Sequence, residues 1–143
     1  MKKKLNCVLL VDDNESDNFI HKRVLEKADI TNHIEISING KEALDFLIAY
    51  EKGEQGQGAF SHPDLIFLDI NMPVMDGWEF LEEHYKHADF LQGKAVFIML
   101  TTSLNPADRA RAEMIIGYDC FQHKPLTMNM INDVIKRHFP DYL

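Results

Sequence analysis

Short continuous apolar runs alternate along the chain with stretches whose apolar residues recur at helical spacing. "NCVLLV" (6–11) predicts a first strand, and Glu15 to Ala28 a helix that buries Phe19, Ile20, Val24 and Leu25. "HIEISI" (33–38) predicts a second strand, with Ile34, Ile36 and Ile38 at period two. A turn at Asn39-Gly40 then leads into a helix from Lys41 to about Tyr50, with Ala43, Leu44, Leu47 and Ile48 on one face. "LIFL" (65–68) predicts a third strand and Trp78 to about His87 a third helix. "AVFIML" (95–100) predicts a fourth strand. Asn105, Pro106 and Asp108 then start a fourth helix that ends near Gly117. "CFQH" (120–123) predicts a fifth strand, and Thr127 caps a last helix burying Ile131, Val134 and Ile135.

Strict alternation of strand and helix implies an α/β fold, a parallel sheet wound with helices on both faces. Strands one, three and four are continuously apolar, as burial on both sides requires, whereas strand two alternates with polar residues and suits an edge. "EKGEQGQGAFSHP" (51–63) reads as a surface excursion within one domain, not a boundary.

Composition narrows the classes. A chain of 143 residues with 45% hydrophobic content can bury one substantial core. Its net charge of −8 argues against nonspecific nucleic-acid binding, which needs a basic surface. The apolar run after Lys2 to Lys4 is too short for a signal peptide and meets Asp12 and Asp13 without a cleavage site. No stretch approaches the ~20 apolar residues of a membrane span. A soluble cytoplasmic protein with no membrane association is expected. Cys7 and Cys120 lie in predicted buried strands as small hydrophobes, and "HYKH" (84–87) reads as a solvated helix end.

The polar residues that end the strands carry the chemistry. Strand one ends in Asp12 and Asp13, strand three in Asp69, strand four in Thr101 and strand five in Lys124. In a parallel sheet these ends share one edge, where ligands of open α/β sheets bind. Each residue alone is an ordinary strand-end residue, but four such ends on one sheet make a set. Three adjacent carboxylates must bind protons or be neutralised by a cation, and hard oxygen donors without Cys or His select Mg2+ or a similar ion. Asp12 and Asp13 would hold it and Asp69 would share it. A carboxylate can attack phosphorus to give an aspartyl phosphate, whose oxygens Lys124 and Thr101 would then contact.

"LLVDD", "DLIFLDINMPVMDG", "IMLTTS" and "HKPL" together resemble the receiver domain of bacterial two-component response regulators, in order and spacing over nearly the whole chain. The resemblance implies a doubly wound, flavodoxin-like (βα)5 fold with a five-stranded parallel sheet in the order 2-1-3-4-5, as the chemotaxis member of the family has. It implies Asp69 as phosphoacceptor, with Asp12, Asp13, Asp69 and the backbone carbonyl of Asn71 around Mg2+ or Mn2+. Thr101 would be the switch hydroxyl and Lys124 the phosphate-binding lysine, with a cis bond to Pro125. Phe121 would be the switch aromatic where many relatives carry Tyr.

The expected function is a stand-alone phosphorylation switch, a signalling protein and not an enzyme. A histidine kinase or phosphotransfer protein would be the donor. Self-catalysed phosphorylation and slow self-dephosphorylation are implied, with Asn71 and Ser103 influencing the rate. The fourth helix, fifth strand and fifth helix would form the face for a downstream protein or a second copy. The chain stops after the fifth helix, so residues 1–143 read as one receiver domain without a DNA-binding output domain. The 51–63 stretch and "TTS" also resemble single-domain receivers that partner phytochrome-like kinases, which does not assign a sensor. Two rivals are disfavoured. A haloacid dehalogenase would need an Asp where Asn71 stands, and a flavodoxin-like cofactor binder would not carry the acidic loop "DDNESDN". Gly77 serves a turn that a side chain would obstruct, and Met72, Met75 and Trp78 read as local packing. Met128 and Met130 suit core and partner surface equally. The helix after Pro106 presents only Ala107, Ala110, Met114 and Ile115 as an apolar face, and is weakly anchored.

Overall fold

Five strands hydrogen-bond side by side, all parallel, in the order β2-β1-β3-β4-β5. They are β1 (Val8–Val11), β2 (Ile34–Ser37), β3 (Leu65–Leu68), β4 (Val96–Thr101) and β5 (Phe121–His123). The helices between and after them are α1 (Glu15–Ala28), α2 (Gly40–Glu51), α3 (Gly77–Lys86), α4 (Pro106–Ile115) and α5 (Met128–His138). This computed structural model describes residues 3–51, 62–87 and 95–142. The surface excursion expected at 51–63 therefore falls mostly outside the described residues.

The sheet divides the core by side-chain alternation. Leu9, Val11, Ile66, Leu68 and Met99 point to the face covered by Ala43, Leu44 and Leu47 of α2 and Phe80 of α3. Val8, Leu10, Leu65, Phe67, Ile98 and Leu100 point to the other face, against Leu25 of α1 and Ile131, Val134 and Ile135 of α5. The three central strands are almost wholly buried, and β2 lies at the edge with Ile34 and Ile36 half-buried. Cys7 and Cys120 are buried free thiols, and burial pushes the Cys7 thiol up to about 12. No helix of the described residues is long and apolar enough to cross a membrane.

Helix starts follow local chemistry. Asn14, Asn105 and Thr127 cap α1, α4 and α5 through side-chain oxygens, with Pro106 in the first turn of α4. Asp76 caps α3 in a reciprocal box with Glu79, a start one residue earlier than Trp78.

Two expectations need correction, and a third is sharpened. On α1 the buried residues are Asn18, His21 and Leu25, while Phe19 and Ile20 are 62% and 48% exposed. The helix is rolled so that the Asn18 amide donates to the Asp12 carbonyl at 2.8 Å while Leu25 enters the core. On α4, expected to be weakly anchored, the apolar face stays in solvent: Ala107 and Ala110 are exposed, as are Met114 and Ile115, and only Ala112 is buried. Two arginines fasten the helix instead, Arg109 over the Phe121 ring at 5.1 Å and Arg111 over Trp78 at 4.3 Å. In "HYKH", finally, neither histidine is fully solvated. His84 packs edge-on against Phe97 with ring centroids 5.0 Å apart and burial lowers its pKa, while His87 sits 2.8 Å from the Glu83 carbonyl.

The loop from β3 to α3 folds back on its strand, and Gly77 is the point of closest approach. Its N–H donates to the Ile70 carbonyl at 2.8 Å, and a Cβ there would lie 2.3 Å from the Asp69 carbonyl oxygen and 3.1 Å from Ile70 Cα. Met72 is buried beneath this loop, with Met75 and Trp78 packed against the same cluster. Gly77→Ala must push backbone away from backbone. We expect urea denaturation to show a loss of about 1–3 kcal/mol; a loss below about 0.5 kcal/mol would mean the loop yields freely.

Candidate functional site

β1, β3, β4 and β5 end on one edge, and their terminal residues meet there. Asp69 follows β3 and its N–H donates to the Val11 carbonyl at 3.0 Å, while the Asp12 N–H donates to Ser37 at 3.0 Å. The ladder thus continues one residue past the strands and fixes both carboxylates by backbone. Asp12 and Asp69 are buried, whereas Asp13 is exposed at the rim. One carboxylate oxygen from each of the three lies within 4.8 Å of the other two.

Local bonds orient the buried pair. Asp12 Oδ1 accepts from the Asn14 N–H at 2.9 Å and Asp69 Oδ1 from the Ile70 N–H at 2.8 Å. The second oxygen of each faces Lys124, whose Nζ lies 2.6 Å from Asp12 Oδ2 and 3.1 Å from Asp69 Oδ2. Lys124 reaches the cluster from the end of β5, where its N–H donates to the Thr101 carbonyl at 2.9 Å and its bond to Pro125 is cis. Burial raises the Asp12 pKa, against the lowering effect of the Lys124 ammonium. Burial also acts to lower the Lys124 pKa, but its hydrogen bonds to Asp12 and Asp17 and the Asp69 charge outweigh it, so the net shift is upward. The ammonium is therefore charged at neutral pH.

Thr101, fully buried, ends β4, and its Oγ1 accepts from the Ser103 N–H at 3.3 Å. Phe121 is buried at the start of β5, and Asn71 is exposed in the loop beyond Asp69. All the strand-end residues singled out by the sequence converge; Phe121 alone lies at the far end of its strand, under α4.

One participant leaves little trace in the sequence. Asp17, in the first turn of α1, accepts a hydrogen bond from Lys124 Nζ at 2.8 Å. Its only signal is its place one turn after the Asp12-Asp13 pair, which a helix N-terminal acid explains equally well.

A sequence profile for the response regulator receiver domain matches residues 8–136. The chain belongs to that family, the phosphoacceptor signalling domains of two-component systems. It is 35% identical to the probable methanogenesis regulatory protein FilR2 of Methanothrix harundinacea over 73% of this chain and 63% of that one. It is 34% identical to response regulator Rcp1 of Synechocystis over 71% of this chain and 65% of that one. The chain thus spans slightly less than two thirds of these two relatives. A two-component response regulator structure from Cytophaga hutchinsonii matches with a TM-score of 0.81 at 29% identity, covering 94% of this chain and 97% of that one. The Mn2+-bound form of Rcp1 matches with a TM-score of 0.67 at 28% identity, covering 94% of each.

The donor set fits a hard divalent cation: carboxylate oxygens only, two buried and one at the rim, with no sulfur or imidazole among them. The same crowding costs folding energy when no cation is bound. Asp13→Asn is expected to raise the melting temperature in chelator by a few degrees, corresponding to about 1 kcal/mol. It should also abolish most of the further rise that Mg2+ gives the wild type. A variant less stable in chelator would contradict carboxylate repulsion as the governing force at the cluster.

Proposed function

We propose that Asp69 accepts a phosphoryl group from a histidine kinase or phosphotransfer protein in a reaction that depends on Mg2+ or Mn2+. The observation that carries this reading is the Lys124 ammonium held between Asp12 and Asp69 at a three-carboxylate cluster. An Asp69 carboxylate oxygen attacks phosphorus in line. The P–N bond of the donor phosphohistidine breaks, its electron pair stays on the imidazole nitrogen, and the product is an aspartyl phosphate. Asp12, Asp13 and the Asn71 backbone carbonyl would hold the cation with Asp69. The cation supplies neutralisation of phosphoryl charge. Lys124 releases Asp69 and donates to the phosphoryl oxygens, and the Thr101 hydroxyl turns toward the same group as a second donor. Mn2+ bound to the related Rcp1 supports the choice of ion.

Phosphorylation adds a charge of about −1.5 to −2. Thr101, drawn toward it, leaves space beside Phe121, which adjusts within the core and changes its contact with Arg109. α4, anchored by Ala112 and two arginines, is the element free to shift, and the face built from α4, β5 and α5 reads out the state to a downstream protein or a second copy. Leu104, Met114 and Tyr118, each more than three-quarters exposed, lie on or beside α4.

Incubation with a small phosphodonor and Mg2+ should add one phosphoryl mass to the wild type and none to Asp69→Asn. Labelling of both proteins, or of neither, would overturn the assignment of Asp69. Beryllofluoride with Mg2+ should alter amide-exchange protection in α4, and unchanged protection there would sink the switch.

A further inference from the structure

Asp17 is tied to Lys124 across 107 positions of sequence, by a hydrogen bond shorter than the one Lys124 makes to Asp69, 2.8 against 3.1 Å. An acid in the first turn of a helix needs no such partner. The helix dipole stabilises it in open solvent, and Glu15 in the same turn is exposed and makes no such bond. The Asp17 side chain is instead turned inward, 31% exposed, onto an ammonium that is 8% exposed. A lysine has three N–H donors. One of Lys124's is directed at Asp17, and the ammonium also sits 2.6 Å from Asp12. Any anion arriving on Asp69 must draw the same ammonium toward itself.

We propose that Asp17 is a positioning residue that competes with the phosphoryl group for Lys124, and so limits how strongly the site holds a phosphoryl group. The proposal rests on the reading of Asp69 as phosphoacceptor and Lys124 as its phosphate-binding lysine. Two effects of Asp17 act in the same direction on an anion. It holds the ammonium toward α1, and its own charge lies one lysine head-group away from Asp69. Both effects reverse for a cation. With Asp17 in place the charge of Lys124 is shared with a third carboxylate, and one more negative charge faces the metal.

The opposite signs make the test. Beryllofluoride is titrated at saturating Mg2+, and Mg2+ alone separately, into wild type, Asp17→Asn, Asp17→Glu and Glu15→Gln, with calorimetric readout. Asp17→Asn should bind beryllofluoride about three- to tenfold more tightly and Mg2+ more weakly. A variant that merely lost structure would weaken both. Glu15→Gln removes the same charge from the same turn without touching Lys124, and should move each affinity by less than about half as much on a logarithmic scale. Asp17→Glu should return the beryllofluoride affinity to within about twofold of wild type, because the carboxylate still reaches Lys124. Unchanged or weaker beryllofluoride binding by Asp17→Asn, or an equal gain in Glu15→Gln, overturns the proposal. If the wild type itself fails to bind beryllofluoride with Mg2+, the phosphoacceptor reading falls instead.

Discussion

A single ammonium group reconciles this fold with its site. The parallel sheet brings the ends of β1 and β3 together because their registers place Val11 beside Leu68. Asp12 and Asp69 follow directly, so their carboxylates are forced into proximity by backbone pairing and not by side-chain preference. Left alone, such a pair would take up a proton or push apart. Lys124 opposes both, entering from β5 on the far side of β4 with its charge beside Asp12 Oδ2 and Asp69 Oδ2. The position of its backbone matters as much as its charge: the Lys124 N–H bonded to Thr101 extends the β4–β5 ladder by one residue.

Lys124 is therefore a stand-in as well as a neutraliser. A monovalent ammonium cannot cancel three or four carboxylates, so the cluster keeps an excess of negative charge of the kind a hard divalent ion would neutralise. Buried ionic clusters of this kind are weak contributors to stability, and their retention is better explained by chemistry than by folding. The apolar strands beneath make the arrangement rigid, since Leu10, Phe67 and Leu100 pack directly under the cluster.

The fold was legible because its signals are long and repetitive: five apolar strands, alternating helices and side-chain caps at Asn105 and Thr127. The strand-end residues were legible for the same reason, because parallel pairing places every strand's carboxyl end at one edge. What escaped the sequence depends on rotation about a helix axis. The α1 pattern pointed to a face of Phe19, Ile20, Val24 and Leu25, but the helix is rolled to place the Asn18 amide on the Asp12 carbonyl. That same rotation turns Asp17 toward Lys124 and leaves Phe19 outside, so one polar contact accounts for both the misplaced apolar face and the missed carboxylate. On α4, the short apolar face already pointed to weak anchoring, but not to what holds the helix. Cation–π contacts from Arg109 and Arg111 hold the helix with its apolar side outward, and such contacts leave no periodic trace.

This rotation also separates two kinds of attachment within one small domain. α1 is bound to the site by polar contacts, through Asn14, Asn18 and Asp17, and to the sheet by Leu25. α4 is bound to the site by a different route. Ser103, two residues past Thr101, accepts on Oγ from the Asn105 N–H and donates to Asp108 in the first turn, while His123 at the end of β5 sits 2.9 Å from the Ser103 carbonyl. In the proposed switch a displacement of Thr101 would be passed to the start of α4 through these hydrogen bonds, whereas the body of that helix has only Ala112 in the core and two surface arginine contacts to resist it. Strong coupling at one end and weak anchoring along the rest is the combination that lets a small local change move a whole helix. On α1, with Leu25 and the Asn18 amide both holding it, the same displacement would be absorbed. The asymmetry between the two helices sets a doubly held α1, which frames the carboxylates, against an α4 held mainly at its start, whose Met114 and Ile115 face solvent.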